Sequence, residues 1–199
     1  MRLLIILSVL LGPLAHAQLV DPNLASKEQL EALPNASAAV VDAIVAGRPY
    51  LSAEQFEAAL SGVLDADQRA SVYAQSFRQI NLNTASEAEI MLIPGMSKRM
   101  AHEFEEYRPY KDIEQFRREI GKYVDEDEVA RLEQYVFIPL DLNTASREII
   151  MQVPGMSRKM AHEFEEYRPY RDIEQFRREI GKYVDEDEVA RLESYVTIE

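Results

Sequence analysis

Hydrophobic residues recur with the period of an α-helix through most of the chain, most clearly between residues 82 and 138. Met100, Phe104 and Tyr107 follow the spacing i, i+4, i+7, which predicts a helix from about Ser97 to Tyr107. Three shorter apolar stripes predict further helices, formed by Ile90 and Ile93, by Ile113, Phe116 and Ile120, and by Val129, Leu132 and Val136. No segment alternates with the two-residue period of a β-strand, so we expect an all-α fold.

Polar and turn-forming residues predict where these helices begin and end. Thr84-x-x-Glu87 and Asp125-x-x-Glu128 have the spacing of capping boxes, and Asp112 can open the helix that follows it. Pro94-Gly95 ends the first helix and Pro109 the second, because proline lacks the amide hydrogen that would continue a helix. We therefore expect short helices separated by tight turns.

The same text returns after 60 residues. Residues 100–110 and 160–170 both read MAHEFEEYRPY, and the block at 112–133 is identical to that at 172–193. A diverged first copy keeps the Arg-Pro-Tyr triplet, which begins at Arg48, Arg108 and Arg168. The mature chain is thus predicted to consist of repeat one (18–79, diverged), repeat two (80–139) and repeat three (140–199). Units of this size bury little surface alone, so contacts between them are expected.

The N-terminal residues 1–17 have the pattern of a secretory signal peptide. One arginine precedes an apolar run from Leu3 to Leu11, and an Ala-His-Ala sequence ends at Ala17. The alternative is an uncleaved membrane anchor, but the run is about half of the ~20 residues that a spanning helix needs. Cleavage between Ala17 and Gln18 would leave a periplasmic or secreted protein with no membrane span in the mature chain.

Composition then limits the possible functions. The 199 residues contain 22 Lys and Arg, 35 Asp and Glu, and no cysteine, so the net charge is −13 and disulfides, thiolate zinc sites and thiol catalysis are excluded. All three repeats are acidic, with net charges of −4 (4 basic, 8 acidic), −5 (8, 13) and −5 (9, 14). Because such a chain repels nucleic acid at long range, any phosphate site must be local.

Repeat two contains three ordered motifs: Leu-Asn-Thr-Ala-Ser at 82–86, Ile-Pro-Gly-Met-Ser-Lys-Arg at 93–99, and Tyr-Arg-Pro-Tyr at 107–110. Repeat three has the same outer motifs at 142–146 and 167–170, and the middle motif reads Val-Pro-Gly-Met-Ser-Arg-Lys at 153–159. This combination resembles the helix-hairpin-helix modules of ComEA-type proteins. The resemblance implies three tandem modules that bind double-stranded DNA without sequence specificity, as in competence-type DNA uptake, with neither catalysis nor an obligatory cofactor.

The physical chemistry of the hairpin supports a phosphate site. A glycine turn that leads into a helix exposes unpaired amide groups at the positive end of the helix dipole, where nearby cations add attraction. The candidate DNA-binding residues are Gly95, Met96, Ser97, Lys98 and Arg99, with Gly155, Met156, Ser157, Arg158 and Lys159 in repeat three. Serine stands at 97 and 157 in place of the family's second glycine, and the methionines are expected to plug the hairpin.

Other positions where a hairpin could lie are less suited to phosphate. Repeat one has Asn35-Ala36-Ser37-Ala38-Ala39 in place of the glycine and the cations, and the second hairpin position of repeat two ends in four acids at 125–128. The alternative interpretation is that the hairpins are simple helix corners, with solvated cations near glutamates such as the Arg99–Glu103 pair.

Two further alternatives follow from the remaining residues. His102 and Glu106 are spaced i, i+4, but two ligands do not make a metal site, and no catalytic constellation is recognisable, so we expect no metal and no enzyme activity. The competing function is an acidic helical-repeat scaffold that binds a protein partner in an envelope or secretion assembly.

Overall fold

A computed structural model describes residues 18–198, and the predicted signal peptide at 1–17 lies outside them. Repeat one contains helices α1 (Lys27–Glu31), α2 (Ala38–Ala46), α3 (Ala53–Ser61) and α4 (Ala66–Tyr73). Repeat two contains β1 (Ile80–Asn81), α5 (Glu87–Ile90), α6 (Lys98–Glu106), α7 (Ile113–Ile120), α8 (Glu126–Glu133) and β2 (Val136–Phe137). Repeat three contains β3 (Leu140–Asp141), α9 (Arg147–Ile150), α10 (Arg158–Glu166), α11 (Ile173–Ile180), α12 (Glu186–Glu193) and β4 (Val196–Thr197). The predicted all-α class is confirmed.

Short parallel strands, which the sequence does not predict, join the two ends of each repeat. Strand β1 pairs with β2 and β3 with β4, each over two residues, and an isolated bridge between Val20 and Ser76 occupies the same place in repeat one. Two residues are too few to show an alternating pattern, so these strands leave no signal in the sequence and do not change the all-α class. The pairing brings the first and last residues of each repeat together.

The helix caps agree with the sequence in type but differ in position. The predicted capping box at Thr84 is wrong, because α5 begins later: Ser86 Oγ accepts from the Glu89 amide at 3.0 Å, and the Glu89 carboxylate accepts from the Ser86 amide at 3.4 Å. At α8, Asp125 Oδ1 caps the Glu128 amide at 2.9 Å. The carboxylate of Glu128 binds Arg131 instead of completing the box.

Most of the predicted inward positions form the core, whereas Met100, Tyr107 and Ile113 are half-buried against it. Val136, which was predicted to continue the last helix, lies in β2 instead, because α8 ends at Glu133. Phe104 and Phe116 are fully buried and meet edge to face with ring centroids 5.3 Å apart. Repeats one and two share one hydrophobic cluster, in which the ring centroids of Phe77 and Tyr135 lie 5.2 Å apart. Repeat three has a cluster of its own. No helix within residues 18–198 is both long enough and apolar enough to cross a membrane.

Candidate nucleic-acid interface

The two outer motifs of each repeat bind each other. In repeat two, Asn83 Nδ2 donates to the Tyr110 carbonyl at 2.9 Å, and Asn83 Oδ1 accepts from the Tyr110 amide at 2.6 Å. Arg108 donates from Nε to the Leu82 carbonyl and from Nη2 to the Ala85 carbonyl, at 2.6 and 2.7 Å. We call these contacts the motif clamp. It fixes the C-terminal end of α6 against the segment that precedes α5, and its residues are therefore structural.

The motif clamp has the same form in the other two repeats. The asparagines exchange two hydrogen bonds with a tyrosine backbone, and the arginines donate to two carbonyls; the residues are Asn23, Arg48 and Tyr50 in repeat one and Asn143, Arg168 and Tyr170 in repeat three. Each asparagine lies 27 positions from its tyrosine. All three hairpins are consequently held in the same local frame.

Each hairpin turns at a residue with left-handed backbone. Gly95 has φ of 79° and Gly155 has φ of 74°, a region that favours glycine. The Met96 amide donates back to the Ile93 carbonyl at 3.0 Å, which closes the turn. The chain then enters α6 and α10, whose first-turn amides have no acceptor within the helix.

The serines that replace the family's second glycine are helix N-caps. Ser97 has φ of −104°, which any residue adopts, and its hydroxyl accepts from the Met100 amide at 3.2 Å. Ser157 caps Met160 in the same way at 3.1 Å. The substitution is therefore compatible with the hairpin, although each hydroxyl occupies one amide that a ligand could otherwise use.

Repeat one also forms this turn, although its sequence lacks the glycine and the cations of the other two repeats. Asn35 takes the place of glycine with φ of 60°, a conformation that asparagine tolerates. Ser37 then caps α2 by accepting from the Val40 amide at 3.3 Å. What repeat one lacks is charge, because Ala38 and Ala39 stand where repeat two has Lys98 and Arg99.

All four hairpin cations are exposed: Lys98, Arg99, Arg158 and Lys159. Within residues 18–198, none of them lies within 4.0 Å of a carboxylate oxygen, so the Arg99–Glu103 ion pair that the alternative interpretation invokes is not formed. Other cations of repeat two are paired, for example Arg117 with Glu133. The hairpin charges are therefore not neutralised by a neighbouring carboxylate.

The loop between α7 and α8 contributes side chains next to each hairpin, which the sequence analysis missed. The Arg99 guanidinium lies 6.0 Å from the centre of the Tyr123 ring, and the Tyr123 hydroxyl is 2.8 Å from that of Tyr107. Hydrogen bonding to Tyr107, and then to Glu103, raises the pKa of Tyr123. The sequence feature that could have indicated this contact is the Lys-Tyr pair at 122–123, which returns at 182–183.

The remaining predicted positions have simple structural roles. Met156 is buried, as a hairpin plug should be, whereas Met96 is half-buried. Asp125 is used as a cap for α8. His102 Nε2 lies 4.0 Å from Glu106, and residues 18–198 contain no group of three side chains that could hold a metal ion.

Comparison with known proteins gives one family match. A family model described as a helix-hairpin-helix motif matches residues 75–133, which include most of repeat two. Neither the comparison with curated proteins nor that with solved structures gives a match. Helix-hairpin-helix motifs are generally associated with nucleic-acid binding. The segment from 75 to 133 is therefore similar to helix-hairpin-helix motifs.

Proposed function

We propose that the protein binds double-stranded DNA without sequence specificity, through the hairpins of repeats two and three. The observation that carries this proposal is that the four exposed hairpin cations have no carboxylate partner within residues 18–198, although the chain has an excess of acidic residues. Together with the free amides of the first helical turn, these cations offer a local anion site on an acidic protein. Contacts of this type reach phosphates and carry no sequence information.

The same proposal includes the cellular setting. The protein is exported, its signal peptide is cleaved after Ala17, and the mature chain is a non-enzymatic DNA receptor in the periplasm or outside the cell, as in competence-type uptake. This part is supported by the N-terminal sequence pattern and by the ComEA-like motif order, which comprises three helix-hairpin-helix modules.

The chain provides a matched control for the binding site. The hairpin pair consists of one lysine and one arginine, Lys98 and Arg158, and both are exposed. The control pair has the same residue types, Lys111 and Arg171, which are also exposed and have no carboxylate within 4.0 Å among the described residues. The control residues lie outside the hairpins, just before α7 and α11. Removing either pair changes the net charge equally. Only the first pair should change phosphate binding.

The test is a titration of a fluorescently labelled, short random-sequence duplex with the protein at about 50 mM salt, in which fluorescence anisotropy reports binding. We expect Lys98→Ala/Arg158→Ala to weaken binding by at least about fivefold and Lys111→Ala/Arg171→Ala by less than about twofold. Duplexes of different sequence should bind equally. An equal loss in both variants would show that only net charge matters. If the protein binds no DNA and instead retains a basic envelope protein in a crosslinking experiment, the scaffold function is favoured.

A further inference from the structure

Repeats two and three have nearly the same hairpin residues but different surroundings. A Cβ atom built on Gly155 would lie 2.9 Å from Leu24 Cδ1, which belongs to repeat one, whereas the atom nearest to a Cβ on Gly95 is Arg131 Nη2 at 3.7 Å. We call the turns at Gly95 and Gly155 hairpin two and hairpin three. Repeat one therefore packs against hairpin three, whereas no atom of repeat one fills the corresponding space beside Gly95.

The arginine beneath each hairpin shows the same asymmetry. The Arg191 side chain is 2% exposed and donates from Nη1 to the Pro154 carbonyl at 2.8 Å, within hairpin three. Its counterpart Arg131 is 24% exposed. Both form a two-pronged ion pair with the glutamate three positions earlier, so the difference arises from the packing around them and not from the residues themselves.

A buried arginine holds repeat one against repeat three. Arg78 has no exposed surface, and it donates to the Tyr195 hydroxyl at 2.8 Å and to Ser194 Oγ at 2.7 Å. Its guanidinium also lies 4.5 Å from the centre of the Tyr195 ring, and its Nε donates to the Tyr50 carbonyl at 3.0 Å. A buried charge is tolerated only where its donors are satisfied, so these oxygens define one position for repeat one.

The residues of this contact are those in which the repeats differ. Arg78 is replaced by isoleucine at positions 138 and 198, Leu24 by threonine at 84 and 144, and Ser194 by glutamine at 134. The equivalent contact therefore cannot form on hairpin two with the same chemistry. These differences between the copies, and not the hairpin residues, therefore distinguish hairpin three from hairpin two.

We propose that Leu24 covers hairpin three and that Arg78 holds this cover in place, so that hairpin two carries most of the DNA contact until repeats one and three separate. The inference rests on the proposed function. Its physical reason is that the Leu24 methyl groups lie against the turn of hairpin three at Gly155, so a phosphate that binds at this turn would have to displace them. Hairpin three is thus a second phosphate site that the chain itself regulates.

Salt dependence of DNA binding tests the proposal. If each hairpin neutralises two phosphates, binding through one hairpin weakens about 12-fold between 50 and 200 mM salt, and binding through both weakens about 150-fold. We expect the smaller value for the wild-type protein and the larger one for Leu24→Thr, which removes both Cδ atoms and leaves the residue that the other repeats contain. Because Leu24 is 42% exposed, this change leaves the core intact.

Paired charge removal gives the matched comparison. In the wild type, Lys98→Ala/Arg99→Ala should weaken binding at least about tenfold, and Arg158→Ala/Lys159→Ala less than about twofold. In the Leu24→Thr background the two losses should become equal. Equal losses in the wild type, or an unchanged salt dependence in Leu24→Thr, would overturn the proposal.

A measurement without DNA separates the cover from the proposed function. Gly95→Ala and Gly155→Ala impose similar backbone strain, but only the second places a Cβ against Leu24. Gly155→Ala should lower the melting temperature at least about 2 °C more than Gly95→Ala, and Leu24→Thr should abolish this difference. If no variant binds DNA but this difference appears, the proposed function fails and the cover stands; if the difference is absent, the cover is refuted.

Discussion

Replacing Asn83 with alanine tests whether the asparagine of the Leu-Asn-Thr-Ala-Ser motif holds the fold together or binds DNA. In the structure its side chain makes two hydrogen bonds, both with the backbone of buried Tyr110, at 2.9 and 2.6 Å. Alanine removes both partners at once and leaves the Tyr110 amide and carbonyl without them. The motif clamp then loses its connection across 27 residues.

The expected magnitude follows from these two bonds. A buried backbone group left without its partner costs about 1–3 kcal/mol, so the pair should lower the free energy of unfolding by about 2–4 kcal/mol. For a protein of this size, that corresponds to a fall in melting temperature of about 5–15 °C. Asn83→Asp should cost about half as much, because a carboxylate still accepts from the Tyr110 amide but cannot donate to the carbonyl.

Urea unfolding followed by far-ultraviolet circular dichroism measures the change, with Thr84→Ala as the control. Thr84 is the exposed neighbour of Asn83, and its truncation should change stability by less than about 0.5 kcal/mol. DNA affinity measured well below the melting temperature should be unchanged in Asn83→Ala. The clamp interpretation is refuted if Asn83→Ala costs no more than Thr84→Ala, or if it weakens DNA binding while stability is retained.

Two further changes test the packing and the turns. Burial raises the pKa of Tyr195 to about 12 from 10.0, so ionisation of this phenol opposes folding above pH 10, and Tyr195 alone should contribute a loss of about 3 kcal/mol as the pH rises from 10 to 12. Urea titrations at several pH values should show this loss, and Tyr195→Phe should reduce it. At Asn35, where φ is 60°, Asn35→Val should cost about 1–2 kcal/mol and Asn35→Gly almost nothing; equal costs in thermal unfolding would contradict the assigned turn.

Local patterns predicted the four helices of repeat two and most of their buried residues. The spacing of Met100, Phe104 and Tyr107 placed a helix at 97–107, and α6 spans Lys98–Glu106 with Ser97 and Tyr107 as its caps. This works because side chains three and four positions apart share a helix face, so burial of one face is recorded directly in the sequence. The exposure of the hairpin cations follows from the same periodicity.

Non-local contacts could not be predicted in this way. The motif clamp joins residues 27 positions apart, and the short strands join residues 56 positions apart. Neither leaves a periodic pattern, because each depends on two or three residues. The hairpin of repeat one was missed for a different reason: only asparagine among its residues tolerates a positive φ, and the missing glycine and cations concealed a turn whose backbone is retained.

Net charge was a poor guide to the hairpins, because it does not record which charges are already paired. In repeat two, Glu133 is bound by Arg117, Glu119 by Arg118, and Glu128 by Arg131. These pairs use other cations of the repeat and leave Lys98 and Arg99 without a carboxylate partner within residues 18–198. An overall charge of −13 can therefore coexist with a local anion site.

Repeats two and three have nearly the same sequence but not the same neighbours. Identical text dictates identical local structure, so Gly95 and Gly155 turn alike, but it cannot make their neighbours alike. The information about how the three repeats fit together must then lie where their sequences diverge. Arg78, Leu24 and Ser194 are such positions, and they form the contact that distinguishes hairpin three from hairpin two. In this tandem repeat, the residues that differ between the copies thus determine how the copies pack against one another.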